Sequence, residues 1–406
     1  MTAKKAVQAE INIGLIGHVD HGKTSLTEAL TGKWSDTHSE ELKRGISIRL
    51  GYADAVFYKC PKCSGAQAYS AKKKCPNCNA EGKFERKVSF VDAPGHETLM
   101  ATMLSGAALM QGAVMVISAN EPCPQPRTAE HLEALNISGT KNIVVAQNKI
   151  DLVSKEDALV NRKAIEKFLS DHGYKDVPII PTAAPLGLNI DLLIEAIEKA
   201  IPTPKHDTST KLKMHIVRSF DINKPGTKPK DIKGGVLGGS IIQGEVKKGD
   251  EIEILPGIKG KKLVTKVHSV AVSEGLLDKA GPGGLVAIST GLDPSITRND
   301  SMRGQIAAIK GVLPESVKKL TLEIKNLERL INKNISAIKI NDPLVLAVGT
   351  ATAIGTISNI NKKSNEYEVL LKNEVIAEKG QKIVISRKEE TGWRLAAYGI
   401  VKESGN

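Results

Sequence analysis

Gly17-His18-Val19-Asp20-His21-Gly22-Lys23-Thr24 is the stretch that decides the fold of the first half of this chain. It fits the pattern G-x-x-x-x-G-K-[ST], in which glycines let backbone N–H groups wrap around phosphates. A predicted strand, residues 11–16, precedes it, and a predicted helix follows, whose N-terminus adds a partial positive charge. In this context we expect Lys23 to reach the β- and γ-phosphates of a nucleotide and the Thr24 hydroxyl to bind Mg²⁺.

The composition is that of a globular protein with a basic second half. Its 406 residues suggest two or three domains at about 150 residues each. Through residue 202 there are 24 basic and 23 acidic side chains, and beyond it there are 33 and 22. Aromatic residues make up only 3%, so the second half could hold a polyanion but offers few rings for stacking on bases. Charge alone leaves open whether it serves a polyanionic partner or only solubility.

The spacing of apolar residues divides the chain into an α/β part and an all-β part. Short apolar strands alternate with helical segments as far as residue 201, which indicates a parallel sheet covered on both faces. After a polar linker, residues 203–210, the period becomes two, as in small β-barrels. We expect an α/β nucleotide-binding domain over residues 1–202, a first β-barrel over 211–313 and a second over 314–406.

Asp92-Ala93-Pro94-Gly95 closes a second predicted strand. Asp92 can hold Mg²⁺ through water, and the N–H of Gly95 can bind a γ-phosphate. The same tetrapeptide can also begin a helix, with proline in the first turn, and both interpretations can apply at once. His96 follows, either as a group that orients a water molecule or as a structural residue at the helix start. Ser47 is a candidate second hydroxyl for Mg²⁺, unless its segment is an ordinary polar loop.

Asn148-Lys149-Ile150-Asp151 ends a later strand and indicates guanine recognition. The Asp151 carboxylate can accept from guanine N1–H and the exocyclic amine, and adenine has neither donor at these positions. Thr182-Ala183-Ala184 follows the next strand and could place a backbone N–H on guanine O6. In this order after the phosphate motifs, these residues predict a P-loop GTPase domain.

The cysteines indicate a metal site. Cys60 and Cys63 form one C-x-x-C knuckle, Cys75 and Cys78 form another, and 11 residues separate them. Four thiolates can close around one Zn²⁺, which leaves no position for a substrate and implies a structural metal; the alternative is four unliganded thiols. Cys123 lies outside this zinc knuckle, residues 60–78, and five cysteines cannot all pair, which favours a reducing compartment.

No segment predicts export or a membrane anchor. Residues 1–10 carry charges without an apolar core, unlike a secretory signal. Residues 98–120 lack charge and are long enough to span a membrane, but their glycines and polar residues divide them into a helix and a strand. We expect a cytoplasmic protein with no membrane partner.

The motifs carry a resemblance to a known family. The phosphate loop and the segment 92–96 resemble those of the translational GTPases, which also carry two β-barrels behind the nucleotide domain. The zinc knuckle after residues 38–45 is similar to that of the gamma subunits of archaeal and eukaryotic translation initiation factor 2. Segments that fit the same family are 218–226, 234–240, 283–288 and 392–394. The short length favours an archaeal form.

The resemblance implies a function, partners and cofactors. A gamma subunit is the core of a heterotrimer with alpha and beta subunits, and it carries methionylated initiator tRNA to the small ribosomal subunit when GTP is bound. Hydrolysis to GDP and phosphate switches tRNA binding off. It would need GTP, Mg²⁺ and a structural Zn²⁺, and turn over slowly alone but faster on the ribosome.

The resemblance also implies roles for single residues. Asp20, Thr24, Gly45 and Ser47 surround magnesium, His96 and Asp20 belong to the catalytic set, and Tyr52 lies near the esterified methionine. The GTP-binding set consists of Gly17, His18, Val19, Asp20, His21, Gly22, Lys23, Thr24, Ser25, Asp92, Gly95, Asn148, Lys149, Asp151, Thr182, Ala183 and Ala184. The chain departs from the family at Ser47, where most relatives have threonine, and at Thr182, where they have serine; both departures keep a hydroxyl.

Three alternatives compete with this interpretation. One is a carrier of another aminoacyl-tRNA, such as elongation factor Tu or the selenocysteine-specific factor, against which the zinc knuckle argues. The second is a metabolic enzyme, the GTP-using large subunit of sulfate adenylyltransferase, which would form adenylyl sulfate from ATP and sulfate. The third is a scaffold that binds GTP without hydrolysing it.

Overall fold

The computed structural model describes residues 6–33, 50–93, 100–327, 338–361, 363–389 and 392–405. The chain separates into two compact units. The first unit is Ala9–Pro204, and the second combines Met1–Gln8 with Lys205–Asn406.

The first unit is built on one seven-stranded sheet. Its strands are β1 Asn12–Ile16, β2 Gly51–Lys59, β3 Tyr69–Ser70, β4 Lys83–Asp92, β5 Gly112–Ser118, β6 Ile143–Asn148 and β7 Ile179–Pro181. Its helices are α1 Lys23–Thr31, α2 Met100–Ala107, α3 Pro126–Ser138, α4 Lys155–Asp171 and α5 Ile190–Ala200, with 3₁₀ turns at Gly65–Ala68, Ile150–Leu152 and Ala184–Leu186. The strand order is β3-β2-β4-β1-β5-β6-β7.

The central strands are covered on both faces, as predicted. Strands β1, β4, β5, β6 and β7 are parallel neighbours, and every residue of β1, β5 and β6 is buried. Because successive side chains of a strand point to opposite faces, full burial means that both faces of the sheet are packed.

Local sequence signals fix the helix ends. Helix α3 begins with Pro126 in its first turn, where a missing N–H costs nothing. The Ser154 side chain accepts from Asp157 N–H and caps α4, which satisfies one otherwise unpaired backbone donor. Helix α1 ends where Gly32 N–H donates to Glu28 O.

An antiparallel edge, which the sequence analysis did not predict, extends this sheet. Strand β2 pairs antiparallel with β4, from Gly51 opposite Asp92 to Lys59 opposite Lys83, and β3 continues the edge. Residues of β2 alternate between buried and half-buried from Tyr52 to Tyr58, as is common for an antiparallel strand with one better-covered face.

The cysteine-bearing segment between β2 and β4 packs into the core of the first unit. Cys60, Tyr69 and Cys75 belong to one buried apolar cluster with Leu193 and Ile197 of α5. The segment is therefore part of the core and not a separately packed appendage.

The second unit contains two closed barrels. The first comprises β8 Lys213–Phe220, β9 Val236–Gln243, β10 Val246–Lys247, β11 Glu251–Ile258, β12 Lys261–Val272, β13 Gly275–Leu277, β14 Lys279–Ala280, β15 Val286–Thr290 and β16 Ile306–Ile309, with 3₁₀ turns at Pro229–Asp231 and Pro294–Asp300. Its main sheet runs β11-β16-β8-β9-β15-β12-β13, and β11 pairs with β12 to close it, while β10 pairs with β14.

The second barrel comprises β17 Val317–Asn326, β18 Pro343–Val348, β19 Ala351–Asn361, β20 Glu366–Val375, β21 Lys382–Glu389 and β22 Gly392–Gly405. These strands close in the order β17-β20-β19-β18-β21-β22, and inward-facing side chains such as Leu320, Leu346 and Ile385 form its core. The predicted architecture, an α/β domain followed by two β-barrels, is confirmed.

The uncharged stretch 98–120 holds α2 and β5, in agreement with its interpretation as a helix and a strand. Within the described ranges, every helix is too short or too polar to cross a membrane.

Candidate functional site

The predicted site residues meet at the carboxyl ends of the parallel strands. The phosphate loop follows β1, Asp92 ends β4, Asn148 ends β6, and residues 182–184 follow β7. Ligands of open parallel sheets bind at this edge, outside the carboxyl ends of the strands. Gly45, Ser47, Gly95 and His96 lie outside the described residues.

The phosphate loop is packed so closely that Gly22 cannot carry a side chain. Its φ is +88°, and a Cβ there would lie 2.4 Å from Asn148 Nδ2, so both conformation and space require glycine. Lys23 begins α1, and its Nζ crosses the loop to donate to His18 O at 2.6 Å. The lysine that we expect on the phosphates therefore already lies along the loop.

The two groups predicted to serve Mg²⁺ are in contact. Thr24 Oγ1 donates to Asp92 Oδ2 at 3.1 Å, and Asp92 is buried. A hydroxyl and a carboxylate are the hard oxygen ligands that Mg²⁺ prefers. Asp20 is exposed on the loop with a φ of +60°, and Tyr52 lies half-buried on β2 opposite Val91.

Asn148 joins the guanine motif to the phosphate loop. Its Nδ2 donates to His21 O at 2.9 Å, and its Oδ1 accepts from Ala184 N–H at 3.1 Å and from Thr182 Oγ1 at 3.4 Å. The Ala184 N–H already has this partner, so a contact with guanine O6 would have to share or replace it. Asp151 is exposed, as a carboxylate that meets a base must be before the nucleotide binds.

A buried histidine behind the loop was missed by the sequence analysis. His131 Nδ1 accepts from Gly17 N–H at 3.1 Å, and burial holds the pKa of His131 well below its usual value. Its ring is therefore neutral, as an Nδ1 acceptor must be. No local signal could have identified it, because 114 residues separate the two partners.

Two loop histidines are kept neutral in the same way. His21 Nδ1 donates to Val116 O at 3.0 Å. Burial lowers the pKa of His21, although the Val116 carbonyl and Glu121 act in the opposite direction. Burial also lowers the pKa of His18. The formal positive charge of the loop thus comes from Lys23, with partial charge from the backbone N–H groups.

The four cysteines of the two knuckles form one cluster. Their sulfur atoms all lie within 4.8 Å of one another, with 3.4 Å between Cys60 and Cys78 and 3.8 Å between Cys63 and Cys75. Tetrahedral zinc with bonds of about 2.3 Å places its sulfurs about 3.8 Å apart. The cluster therefore fits a four-thiolate zinc site.

Comparison with protein families assigns the chain in three parts. Residues 8–203 match the elongation factor Tu GTP binding domain, and residues 234–308 match elongation factor Tu domain 2. Residues 318–401 match the C-terminal domain of initiation factor eIF2 gamma.

Relatives are similar over nearly the whole chain. Translation initiation factor 2 subunit gamma of Methanothermobacter thermautotrophicus is 52% identical, covering 97% of this chain and 99% of its own. The subunit of the same name from Methanocaldococcus jannaschii is 51% identical, covering 98% and 99%.

Solved structures share the fold. A bacterial selenocysteine-specific elongation factor superposes with a TM-score of 0.74 at 25% identity, covering 97% of this chain and 58% of its own. The elongation factor SelB of Methanococcus maripaludis, in complex with the GTP analogue GppNHp, gives 0.74 at 24% identity, covering 98% and 80%.

Proposed function

The chain belongs to the family of translation initiation factor 2 gamma subunits, and from that premise we propose that it carries methionylated initiator tRNA to the small ribosomal subunit. It is a translational GTPase and a subunit of an initiation factor. In the proposed cycle, GTP favours tRNA binding, and hydrolysis to GDP and phosphate releases the tRNA. The factor acts in the cytoplasm, where initiation takes place.

The initiation role rests on the family, and the contact between Thr24 and Asp92 is the observation that carries the GTP-dependent part of this proposal. Their oxygens lie 3.1 Å apart. Thr24 directly follows Lys23, the first residue of α1. Such a pair supports Mg²⁺ beside the β- and γ-phosphates, where the ion would neutralise charge that develops during phosphoryl transfer. We assign Asp20, Gly45 and Ser47 to the same ion from the family pattern.

The proposed specificity for guanine nucleotides depends on Asn148 and Asp151. Asn148 ties the loop after β7 to the phosphate loop, and Asp151 is exposed to meet the base. An unpaired desolvated carboxylate would disfavour adenine at this position. The nucleotide is therefore expected to be GTP or GDP, with GTP distinguished by Gly95 and by Ser47.

Hydrolysis is proposed to be slow without the ribosome. His96 is the family's group near the attacking water, and Arg44 is the candidate arginine between the phosphate loop and Asp92. A well-placed arginine finger is worth ~10³–10⁵ in rate, and we propose that Arg44 does not act as one. We therefore expect a ribosomal or partner component to complete the site.

The cysteine cluster is proposed to hold one structural Zn²⁺. Cys60, Cys63, Cys75 and Cys78 provide four sulfurs and leave no coordination position for a substrate. The same segment joins the buried cluster of α5, which supports a folding role for the metal.

The remaining partners follow from the family. We propose alpha and beta subunits as partners. The proposed domains are the nucleotide-binding domain over 1–202, the first β-barrel over 211–313 and the second β-barrel over 314–406.

We assign Tyr52 to the methionine ester of the bound tRNA. Beyond residue 202 there are 33 basic and 22 acidic residues, and this positive net charge supports an RNA partner for the barrels.

Protection of the methionyl ester from hydrolysis tests the carrier function. Initiator and elongator methionyl-tRNA are incubated with the protein and its alpha subunit, with a non-hydrolysable GTP analogue or with GDP. Protection of initiator tRNA alone, and only with the analogue, is expected. Equal protection of both tRNAs indicates a general elongation carrier, and protection of neither, with GTP still bound, contradicts the carrier function.

A further inference from the structure

A cleft between the two barrels of the second unit is lined by positive charge. Its volume is about 460 Å³, and its cationic side chains are Lys259, Arg303, Lys318 and Lys372. Glu374 is the one carboxylate among the lining residues. It also accepts from Ser316 Oγ at 2.5 Å, and Lys318 Nζ lies 3.8 Å from it. We propose that this cleft binds the phosphate backbone of an RNA strand.

Two of the cations in the cleft have no paired carboxylate in the described part of the chain. Some lysines elsewhere on the barrels do pair with carboxylates at 2.5–3.0 Å, namely Lys213 with Glu378, Lys279 with Glu245, Lys319 with Glu368 and Lys402 with Glu323. In the cleft, Lys259 and Lys372 form no ion pair with any carboxylate of the described residues. The cleft thus holds four cationic residues against one carboxylate, and an anion bound there reduces the repulsion among the like charges.

A tight turn between β11 and β12 forms one side of the cleft. Ile258 pairs with Lys261 across a two-residue turn, and both turn residues have positive φ, +51° at Lys259 and +74° at Gly260, as in a type I′ hairpin. A Cβ on Gly260 would lie 2.6 Å from Glu374 Oε1, so this hairpin tip approaches the second barrel closely. The tight turn thus holds the backbone of Lys259 at the cleft.

A backbone ligand fits the shape and composition better than a stacked base. The four cationic residues are exposed at the cleft, and no aromatic residue is among the lining residues. Lysine ammonium groups bind phosphates as point charges and do not read base identity. Binding should therefore depend strongly on salt and weakly on sequence.

Salt titration of the full chain tests the proposal. The probe is a fluorescein-labelled single-stranded RNA of mixed sequence, followed by anisotropy in 0.1–1 M KCl. Two lost phosphate contacts in Lys259→Ala/Lys372→Ala should make the slope of log K against log salt less negative by roughly 1.4. Affinity should fall roughly 25-fold at 0.1 M, because this electrostatic contribution disappears near 1 M.

A matched variant removes the same charge elsewhere. Lys248 and Lys379 are exposed outside the cleft, so Lys248→Ala/Lys379→Ala should keep the parental slope. Thr352→Glu adds a carboxylate to the cleft without removing a lysine, and it should weaken RNA binding as well. Equal slopes for the two double variants overturn the proposal, and thermal melting verifies that each variant is folded.

Two further arms separate the source of phosphate and the proposed carrier function. If inorganic tripolyphosphate binds the parent more tightly than the RNA does at equal phosphate concentration, and Lys259→Ala/Lys372→Ala removes that difference, the cleft is a site for free polyphosphate and RNA binding is overturned. The inference does not rest on the GTP cycle, so the slope difference is expected with GDP and with the GTP analogue alike. A slope difference restricted to one nucleotide would contradict it.

Discussion

Replacing Asn148 by alanine tests the link between base recognition and phosphate binding. The side chain is 1% exposed and makes two good hydrogen bonds, to His21 O at 2.9 Å and from Ala184 N–H at 3.1 Å, besides a long one from Thr182. Each bond contributes about 0.5–1.5 kcal/mol, and an unsatisfied buried partner costs about 1–3 kcal/mol. We therefore expect a loss of about 2–3 kcal/mol.

This loss appears as weaker nucleotide binding. Without Asn148 the loop and residues 182–184 populate the binding arrangement less, and the apparent affinity falls by that fraction. A loss of 2–3 kcal/mol corresponds to roughly 30- to 150-fold in the dissociation constant. Because none of the three bonds involves the γ-phosphate position, Asn148→Ala should weaken GDP and a GTP analogue equally.

Titration with a fluorescent GDP derivative, and competition with the unlabelled analogue, measure both affinities. Asn142→Ala is the matched control, since Asn142 is exposed in the same unit, and its affinity should equal that of the parent. Binding of GDP by Asn148→Ala within threefold of the parent protein, or weakened binding of the analogue alone, would contradict this expectation.

Three further predictions concern the base, the metal and pH. Asp151→Asn should lower GTP affinity by roughly 100-fold or more while improving that for XTP, because an amide can donate to the xanthine 2-carbonyl; competition titration measures both. Metal removal by a chelator, or Cys75→Ser, should lower the melting temperature of the first unit by more than about 5 °C, because Cys75 lies in its core. Burial holds the pKa of His215 at about 4, so denaturant titrations should show about 2 kcal/mol less stability of the second unit at pH 5 than at pH 7, and His215→Gln should remove that difference.

The sign of the pH effect follows from where the proton binds. Folded His215 stays neutral down to about pH 4, whereas the unfolded chain protonates it near pH 6.5, so stability is complete above 6.5 and declines below it. An unchanged pH dependence in His215→Gln would contradict this. Unaltered GTP and XTP affinities in Asp151→Asn, or unaltered melting after chelation, would contradict the other two.

Much of the first unit could be predicted because its signals are local. The phosphate loop, the buried strands β5 and β6, and the cysteine spacing each depend on residues close together in sequence, and the structure brings the corresponding atoms together. The antiparallel edge was missed because β2 carries no turn signal toward β4, from which the cysteine segment separates it.

Long-range contacts could not be predicted from the sequence. Gly17 N–H donates to His131 of α3, 114 positions further along the chain. The second barrel closes by pairing β17 with β22, which are separated by four other strands. Period-two patterns identify strands but not their neighbours. Asn148 was assigned to the base for its motif, and its bonds to the phosphate loop depend on the sheet order, in which only β5 lies between β6 and β1.

The antiparallel pairing of β2 with β4 affects the position of Asp92 at the nucleotide-binding edge of the sheet. It pairs Gly51 with Asp92 at one end and Lys59 with Lys83 at the other, and nine residues span about 30 Å. Cys60 follows Lys59 directly, and its sulfur lies 3.4 Å from that of Cys78. A one-residue slip between the strands would turn every side chain to the opposite face. With the proposed Zn²⁺ bound, the cysteine cluster would tie the far ends of the two strands together and oppose that slip, and so would fix the position of the Asp92 carboxylate at the other end of the pairing.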